Sequence, residues 1–384
     1  MSERLRNAQA AIQRRDWRTA EALLAFATPE ELTISALLDR ALAQRMLSRL
    51  EEALLTLEQV LVREPANFLA LLSIGALLER LGRPVHAATA YRNALAVAPP
   101  THQLPVGLQT QVVKAAAVVR VQSEALARHL RGCLADLRGT LAGEPLGRFD
   151  ESLEILAGVS KPYVQQPLLF HYPRLPAIPF YDRALFPWLE DLESATPMIQ
   201  EELAVARSAS PRDFVPYIDF PPGVPVNQWE TLNHSRLWST FFLWRDGIRL
   251  NDACALCPRT TALLEALPMA RQPVYAPTAM FSALEGRTVI PPHTGSANTR
   301  LVVHLPLVVP GPARFRVGAE TRPWRMGQAW VFDDTIEHEA WNDADDTRII
   351  LIFDVWNPFL SDAERALISA MMSARNDFQT REGP

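Results

Sequence analysis

Three of the eight histidines, His293, His304 and His338, fall within one stretch of 46 residues. His293 stands in Pro291-Pro292-His293-Thr294-Gly295, and His338 in Ile336-Glu337-His338-Glu339, just behind the apolar run 329–332. Two imidazoles far apart in sequence, each on a rigid β position, can converge on one cation inside a barrel, and such convergence is what a catalytic metal site needs. A non-haem iron centre commonly adds a carboxylate, often two residues after the first His. Gly295 occupies that place. The residues leave three possibilities open: two protein ligands with water completing the shell, an acid such as Asp333 or Asp334 as substitute, or no metal.

A bidentate 2-oxo acid on such a cation leaves room for water and oxygen even when only two imidazoles hold the metal. Its distal carboxylate needs a cationic anchor. Arg348 opens the apolar run Ile349-Ile350-Leu351-Ile352-Phe353. Its planar fork would point from a strand into the barrel, where it matches a carboxylate bidentately and where an unpaired charge is costly. The competing reading is an ion pair with Asp333, Asp345 or Asp346. His86, His102, His129, His171 and His234 read as ordinary surface or core residues. Cys254 and Cys257 have the spacing of half a zinc site, but no second Cys or His pair follows, so they read as satisfied thiols.

Positioning these groups falls to short β-type runs at 238–244, 274–284, 301–309, 313–317, 328–332 and 348–355, separated by Gly and Pro turns. That texture predicts a β-barrel or sandwich. Residues 162–225 hold 12 prolines, which exclude continuous helix apart from one predicted over 188–208. The first 140 residues instead carry Ala/Leu-rich segments with apolar positions three and four apart, the pattern of packed amphipathic helices. A 34-residue shift aligns Leu47 with Leu81, Ser48 with Gly82, Ala53 with Ala87, Leu57 with Tyr91 and Pro65 with Pro99; a fainter copy lies around Asp16, Trp17, Ala20 and Leu24. A further helical stretch, 104–141, closes the stack. The expected organisation is a helical repeat domain at 1–145, a linker at 146–165 and a β domain at 166–384.

The repeat region resembles tetratricopeptide repeats through Leu81-Gly82, Tyr91 and Ala94. That likeness implies a concave surface for a peptide or partner, against the plainer reading of a helical cap. Three further stretches occur in order: 293–305 (HTGSANTRLVVHL), 331–341 (VFDDTIEHEAW) and 348–358 (RIILIFDVWNP). With Trp238-Ser239-Thr240-Phe241 and Phe186-Pro187-Trp188-Leu189 they resemble the aspartyl/asparaginyl β-hydroxylase family over about residues 170–360. The resemblance implies a double-stranded β-helix (jelly-roll) and a 2-oxoglutarate-dependent dioxygenase. It implies Fe(II) bound by His293 and His338 without an acidic ligand, which suits Gly295. It places the distal carboxylate of 2-oxoglutarate on Arg348 and Ser282, its other end on His304, and Trp238 in the same pocket. Arg300 is retained as a substrate or co-substrate contact, while a second Arg common in the family is Val302 here. O2 is the second co-substrate, and the implied substrate carbon is the β-carbon of Asp or Asn in a peptide or protein, which the repeats would help to recruit. The overall expectation is an α+β multidomain chain.

The bulk numbers fit two globular units. The chain has 384 residues, 48% hydrophobic and 21% charged, with formal charge -5. This excludes a disordered chain and gives no general electrostatic reason to bind nucleic acid. No window reads as a signal peptide or a membrane span, and three cysteines suit a reducing compartment, so a cytoplasmic location is expected. Two other readings remain: a non-catalytic tetratricopeptide scaffold with a metal-binding cupin-like barrel, and a cupin-like zinc or manganese protein.

Overall fold

The computed structural model describes residues 2–380 and divides into two compact units, Met1–Lys161 and Pro162–Pro384. In the first unit the repeat is visible as geometry. Helices Ile34–Met46 and Phe68–Arg80 begin 34 residues apart, as do Leu50–Arg63 and Pro84–Ala96. Ser48 and Gly82 take positive φ in the two equivalent turns. Ala20, Ala53 and Ala87 are fully buried, which lets paired helices approach closely. Gly75 serves the same end: a Cβ there would lie 2.4 Å from the Tyr91 ring. Tyr91 cannot easily retreat, because its hydroxyl donates to Glu79 at 2.5 Å and Lys114 donates to the same carboxylate at 2.9 Å.

The stretch expected to close the stack is helix Val106–Cys133 followed by Ala135–Thr140. Part of the expected linker is ordered: Gly147–Ala157 is helical, and its Leu153 and Ala157 pack on Ala127. The four-residue spacing of Leu153 and Ala157 puts both on one face of the helix, and Gly158 at φ 76° ends it.

The second unit is the expected jelly-roll. Its strands are β1 Val215–Pro216, β2 Trp238–Arg245, β3 Ile248–Arg249, β4 Ala279–Leu284, β5 Thr288–His293, β6 Arg300–Val308, β7 Ala313–Val317, β8 Glu320–Pro323, β9 Trp330–Phe332, β10 His338–Asn342 and β11 Arg348–Trp356. One sheet runs β1-β2-β4-β11-β6-β9 with β3 on β2, and the other runs β5-β10-β7-β8. All the strand pairings are antiparallel.

Strand alternation sorts the larger sheet into two faces. Leu301, Val303, Leu305 and Leu307 of β6, with Ile349, Leu351, Phe353 and Val355 of β11, form an outer layer. Against it pack Leu189 and Leu192, Ile199 and Leu203, and Leu264, carried by helices Leu189–Ser194, Thr196–Ala209 and Pro258–Ala266. Each fully buried Leu or Ile in that layer contributes roughly 1.5–3 kcal/mol. The alternate residues face the interior between the sheets.

The single helix expected over 188–208 is broken at Ala195, because Pro197 starts a new helix in its first turn. The expected runs do not include β1, β3, β5, β8 or β10, although the sequence places His293 and His338 on β positions. β5 carries Pro291 and Pro292, and prolines argue against a strand unless it lies at an edge, where β5 does lie. Helix Asp362–Thr380 covers the end of the barrel unit through buried Ile368 and Met372. Among the described residues no helix is long and apolar enough to cross a membrane.

Replacing Gly75 with Ala should lower the stability of the repeat unit by about 1–2 kcal/mol, since overpacking outweighs the gain in helix propensity. Urea unfolding followed by helical circular dichroism of the full chain reads this. An unchanged curve would show that the Tyr91 ring can yield.

Candidate active site

The register of β5 against β10 sets His293 directly opposite His338, with ring centroids 4.0 Å apart. Each ring has its Nδ1 at a main-chain carbonyl two residues earlier, Pro291 O at 2.8 Å and Ile336 O at 3.0 Å. A carbonyl only accepts, so both Nδ1 atoms carry the proton. Both Nε2 atoms are thereby left as lone-pair donors, the tautomer a metal ion requires. Burial pushes the His293 imidazolium down to about 4 and holds His338 well below its usual value, with the neighbouring His293 adding to the effect. Both rings are neutral at pH 7.

Gly295 has a steric reason. A Cβ on it would lie 1.9 Å from Asp334 Oδ2, and its own N–H donates to the Asp334 carbonyl at 2.6 Å. The Asp334 carboxyl thus fills the space that a side chain at 295 would need. Its burial raises it to about 7, and its Oδ1 has no hydrogen-bond partner. Asp333 is differently employed, accepting from Gln165 at 2.6 Å and from the Thr335 hydroxyl at 2.6 Å. No cluster of three or more His, Cys, Asp or Glu suited to a metal occurs among the described residues. Neither acid therefore completes a three-residue ligand set with the histidines, which leaves the two-histidine arrangement and the absence of a metal.

From the histidine pair a cavity of about 460 Å³ extends between the sheets. Arg348, Ile350, Ile352 and Asp354 of β11 line it, as do Arg300, Val302 and His304 of β6 and Met280 and Ser282 of β4. These are the inward positions of each strand. Arg348 is 1% exposed, and its Nε and Nη1 have no hydrogen-bond partner. None of the acids weighed against it takes it up: Asp345 pairs with Arg287, Asp333 is engaged as above, and no ion pair joins Asp346 to it. Its guanidinium stacks over Trp324, 4.4 Å from the ring centroid. Burial alone drives it down to about 9. A fork held dry without an anion is the complement of a carboxylate.

Ser282 and Trp238 meet here: the indole N–H donates to Ser282 Oγ at 3.0 Å, which leaves the hydroxyl proton free to donate onward. His304 is buried among Phe315, Phe332 and Trp324, with Nδ1 unpartnered, and is held well below its usual value by burial and by Arg348. It also lowers His338 electrostatically, so His304 feels Arg348 on one side and acts on His338 on the other. The seven residues singled out in the sequence therefore line one cavity. Arg300 differs from Arg348 in being neutralised: it is paired with Asp354 and donates to Ser296 Oγ at 2.5 Å.

Sequence reading missed Trp324, which carries the Arg348 stack, and Trp229, whose ring lies edge-on to His293 at 5.0 Å. Trp324 follows β8, which periodicity did not reveal, and Trp229 ends the short turn of helix Asn227–Trp229 between the proline-rich stretch and β2. It also missed what fixes the 293–300 loop. Asn298 accepts from Tyr172 N at 2.7 Å and donates to Gln165 and to Tyr172 O, while Asn357 donates to Asn298 O. Cys254 and Cys257 are buried and separate in their contacts, with Leu243 O and Glu202 O.

Residues 213–358 match the family model described as Aspartyl/Asparaginyl beta-hydroxylase. An ornithine lipid ester-linked acyl 2-hydroxylase of Rhizobium tropici is 35% identical over 198 residues, 50% of this chain and 65% of that protein. Human aspartyl/asparaginyl beta-hydroxylase is 37% identical over 155 residues, 40% of this chain and 20% of that protein. Human aspartate beta-hydroxylase domain-containing protein 2 is 31% identical over 210 residues, 54% of each. The resemblance to this hydroxylase family is thus shown for the barrel, while the chain spans less than two thirds of each of these relatives.

Two outcomes follow from the site. Gly295→Ala should destabilise the protein, and Asp334→Ala should relieve that effect, giving a favourable coupling of about 0.5–3 kcal/mol in a double-mutant cycle by chemical denaturation; additive effects would show that Asp334 does not fill the space. The buried histidines stay neutral while their unfolded counterparts take a proton below about 6.5, so they make stability fall as pH drops from there toward about 4. Asp334 acts in the opposite sense over an overlapping range. Comparison with His338→Gln cancels that term: the variant should lose less stability between pH 6.5 and 5 than the parent metal-free protein, and an equal loss would contradict a neutral His338.

Proposed function

We propose that the barrel is an Fe(II)- and 2-oxoglutarate-dependent dioxygenase that hydroxylates an unactivated carbon. The observation that carries this is the pairing of two neutral imidazoles, Nε2 atoms free, with a buried guanidinium that has no anion, both lining one cavity. His293 and His338 would hold the iron. Arg348 and Ser282 would hold the distal carboxylate of 2-oxoglutarate, His304 its other end, and Trp238 fixes the Ser282 hydroxyl through its indole N–H. When bound, iron and 2-oxoglutarate supply oxygen activation coupled to decarboxylation: one oxygen atom of O2 enters the substrate as hydroxyl, the other enters succinate, and carbon dioxide leaves.

The chain's own residues do the rest. Main-chain carbonyls of Pro291 and Ile336 keep both ligands in one tautomer. Phe315, Phe332 and Trp324 exclude water around His304 and Arg348, which strengthens a charge pair formed there. For the substrate, the resemblance supports the β-carbon of an Asp or Asn residue in a peptide or protein, and the human relative's name points the same way. The Rhizobium relative's name points instead to an ester-linked acyl chain. The helical repeats would recruit a peptide or protein partner, a role that their stacked-pair geometry supports.

Anaerobic reconstitution with Fe(II), followed by oxygen, should give succinate from 2-oxoglutarate even without substrate, and His338→Ala should abolish it. At a hundredfold excess over its Kd, 2-oxoglutarate should add about 2.7 kcal/mol of stability. Arg348→Met should make the ligand-free protein more stable, by removing an unpaired buried charge, and yet weaken 2-oxoglutarate about 100-fold. No stabilisation by 2-oxoglutarate and no iron-dependent succinate would sink the reading.

A further inference from the structure

The cavity that holds the histidine pair and Arg348 is also lined by residues that the proposed co-substrate does not use, and a substrate must lie against some of them if the proposed activity holds. Its charges are uneven. Among the described residues that line the cavity two are permanent cations, Arg300 and Arg348, against three acids, Asp246, Asp334 and Asp354. Arg348, together with the metal, is matched by the two carboxylates of 2-oxoglutarate. Arg300 is spoken for as well: one arm goes to Asp354, the other to Ser296, and Asp334 lies close enough to act on its charge. Val302, the next inward position on β6, is apolar and buried. A carboxylate entering here would meet Asp334, one of whose buried oxygens lacks a partner, and Asp246, whose cation is the exposed Arg245 at 3.7 Å. Removing it from water without a partner is costly.

We propose that the substrate brings a cationic group, an ammonium or guanidinium, and not a carboxylate, to the wall formed by Asp334 and Asp246. This rests on the dioxygenase reading and narrows its substrate. Asp334 supplies the unpartnered buried acceptor, while Asp246, exposed at the β2–β3 turn, lines the same cavity from its mouth. Tyr217 and Trp229, which pack on Trp238 with ring centroids 4.2 Å and 6.0 Å away, also line the cavity and make that wall aromatic, which suits an alkyl chain or a cation. The aspartyl half of the Asp/Asn expectation is thereby disfavoured. A lysine-like, arginine-like or amine-headed molecule is favoured, whatever carries it.

The test is binding, so it does not depend on turnover. The full-length protein, loaded anaerobically with Fe(II) and 2-oxoglutarate, is titrated at low salt with two capped peptides, Gly-Gly-Lys-Gly-Gly and Gly-Gly-Asp-Gly-Gly. The lysine peptide should bind at least tenfold more tightly. Asp246→Lys, a surface change, should weaken the lysine peptide and strengthen the aspartate peptide, a reciprocal shift that a merely structural role for Asp246 would not produce. Equal affinities, including no binding of either peptide, or a preference for the aspartate peptide, would overturn the proposal. Peptide-free succinate formation, measured on the same sample, reports separately on the dioxygenase reading.

Discussion

The antiparallel pairing of β5 with β10 is the constraint on which the site depends. It sets His293 opposite His338 and leaves their rings 4.0 Å apart without any loop having to hold them. The regular pairing of Ala340 to Asn342 with Ile290 to Thr288 shifts register just before it reaches the histidines, so the His293–His338 pair sits at a bulge of the ladder. The carbonyls that fix both tautomers belong to residues two places earlier on the same chain segments, so the same local backbone supplies ligand, orientation and proton placement. Everything else in the barrel unit can be seen as keeping that pairing in register and its interior dry.

Stability and function are divided between the two faces of the larger sheet. The outer face, packed on helices, is apolar and well satisfied. The inner face carries polar groups that lack partners, His304 Nδ1 and two nitrogens of Arg348, and with Trp324 Nε1 and Asp334 Oδ1 from outside the sheet they line one cavity. Buried groups of this kind are rare in structural cores and destabilise the ligand-free molecule. Their concentration in one place marks where a charged ligand is to be received, and the outer layer offsets their cost.

Much of this was legible in the sequence, for definite reasons. The 34-residue repeat showed because small residues must recur where helices touch, as at Ala53 and Ala87. Arg348 could be placed on an inward strand position because its neighbours were unbroken apolar residues. β5 was hidden by Pro291 and Pro292, which an edge strand tolerates, and β10 by its brevity and its outward Glu339 and Trp341. The neutralisation of Arg300 was also hidden: Asp354 lies 54 residues away in sequence and reaches it only because β11 pairs with β6. Pattern gives the direction of a side chain along one strand, whereas its partner depends on which strands become neighbours.

The close fit of Gly295 against Asp334 bears on how such a centre could change its ligand set. An acidic side chain at position 295 would collide with the carboxyl already there, so a third ligand cannot be gained in a single step. The path to it runs through a second change at position 334, which must vacate the space first. The two-ligand state is in that sense held by crowding as much as by chemistry.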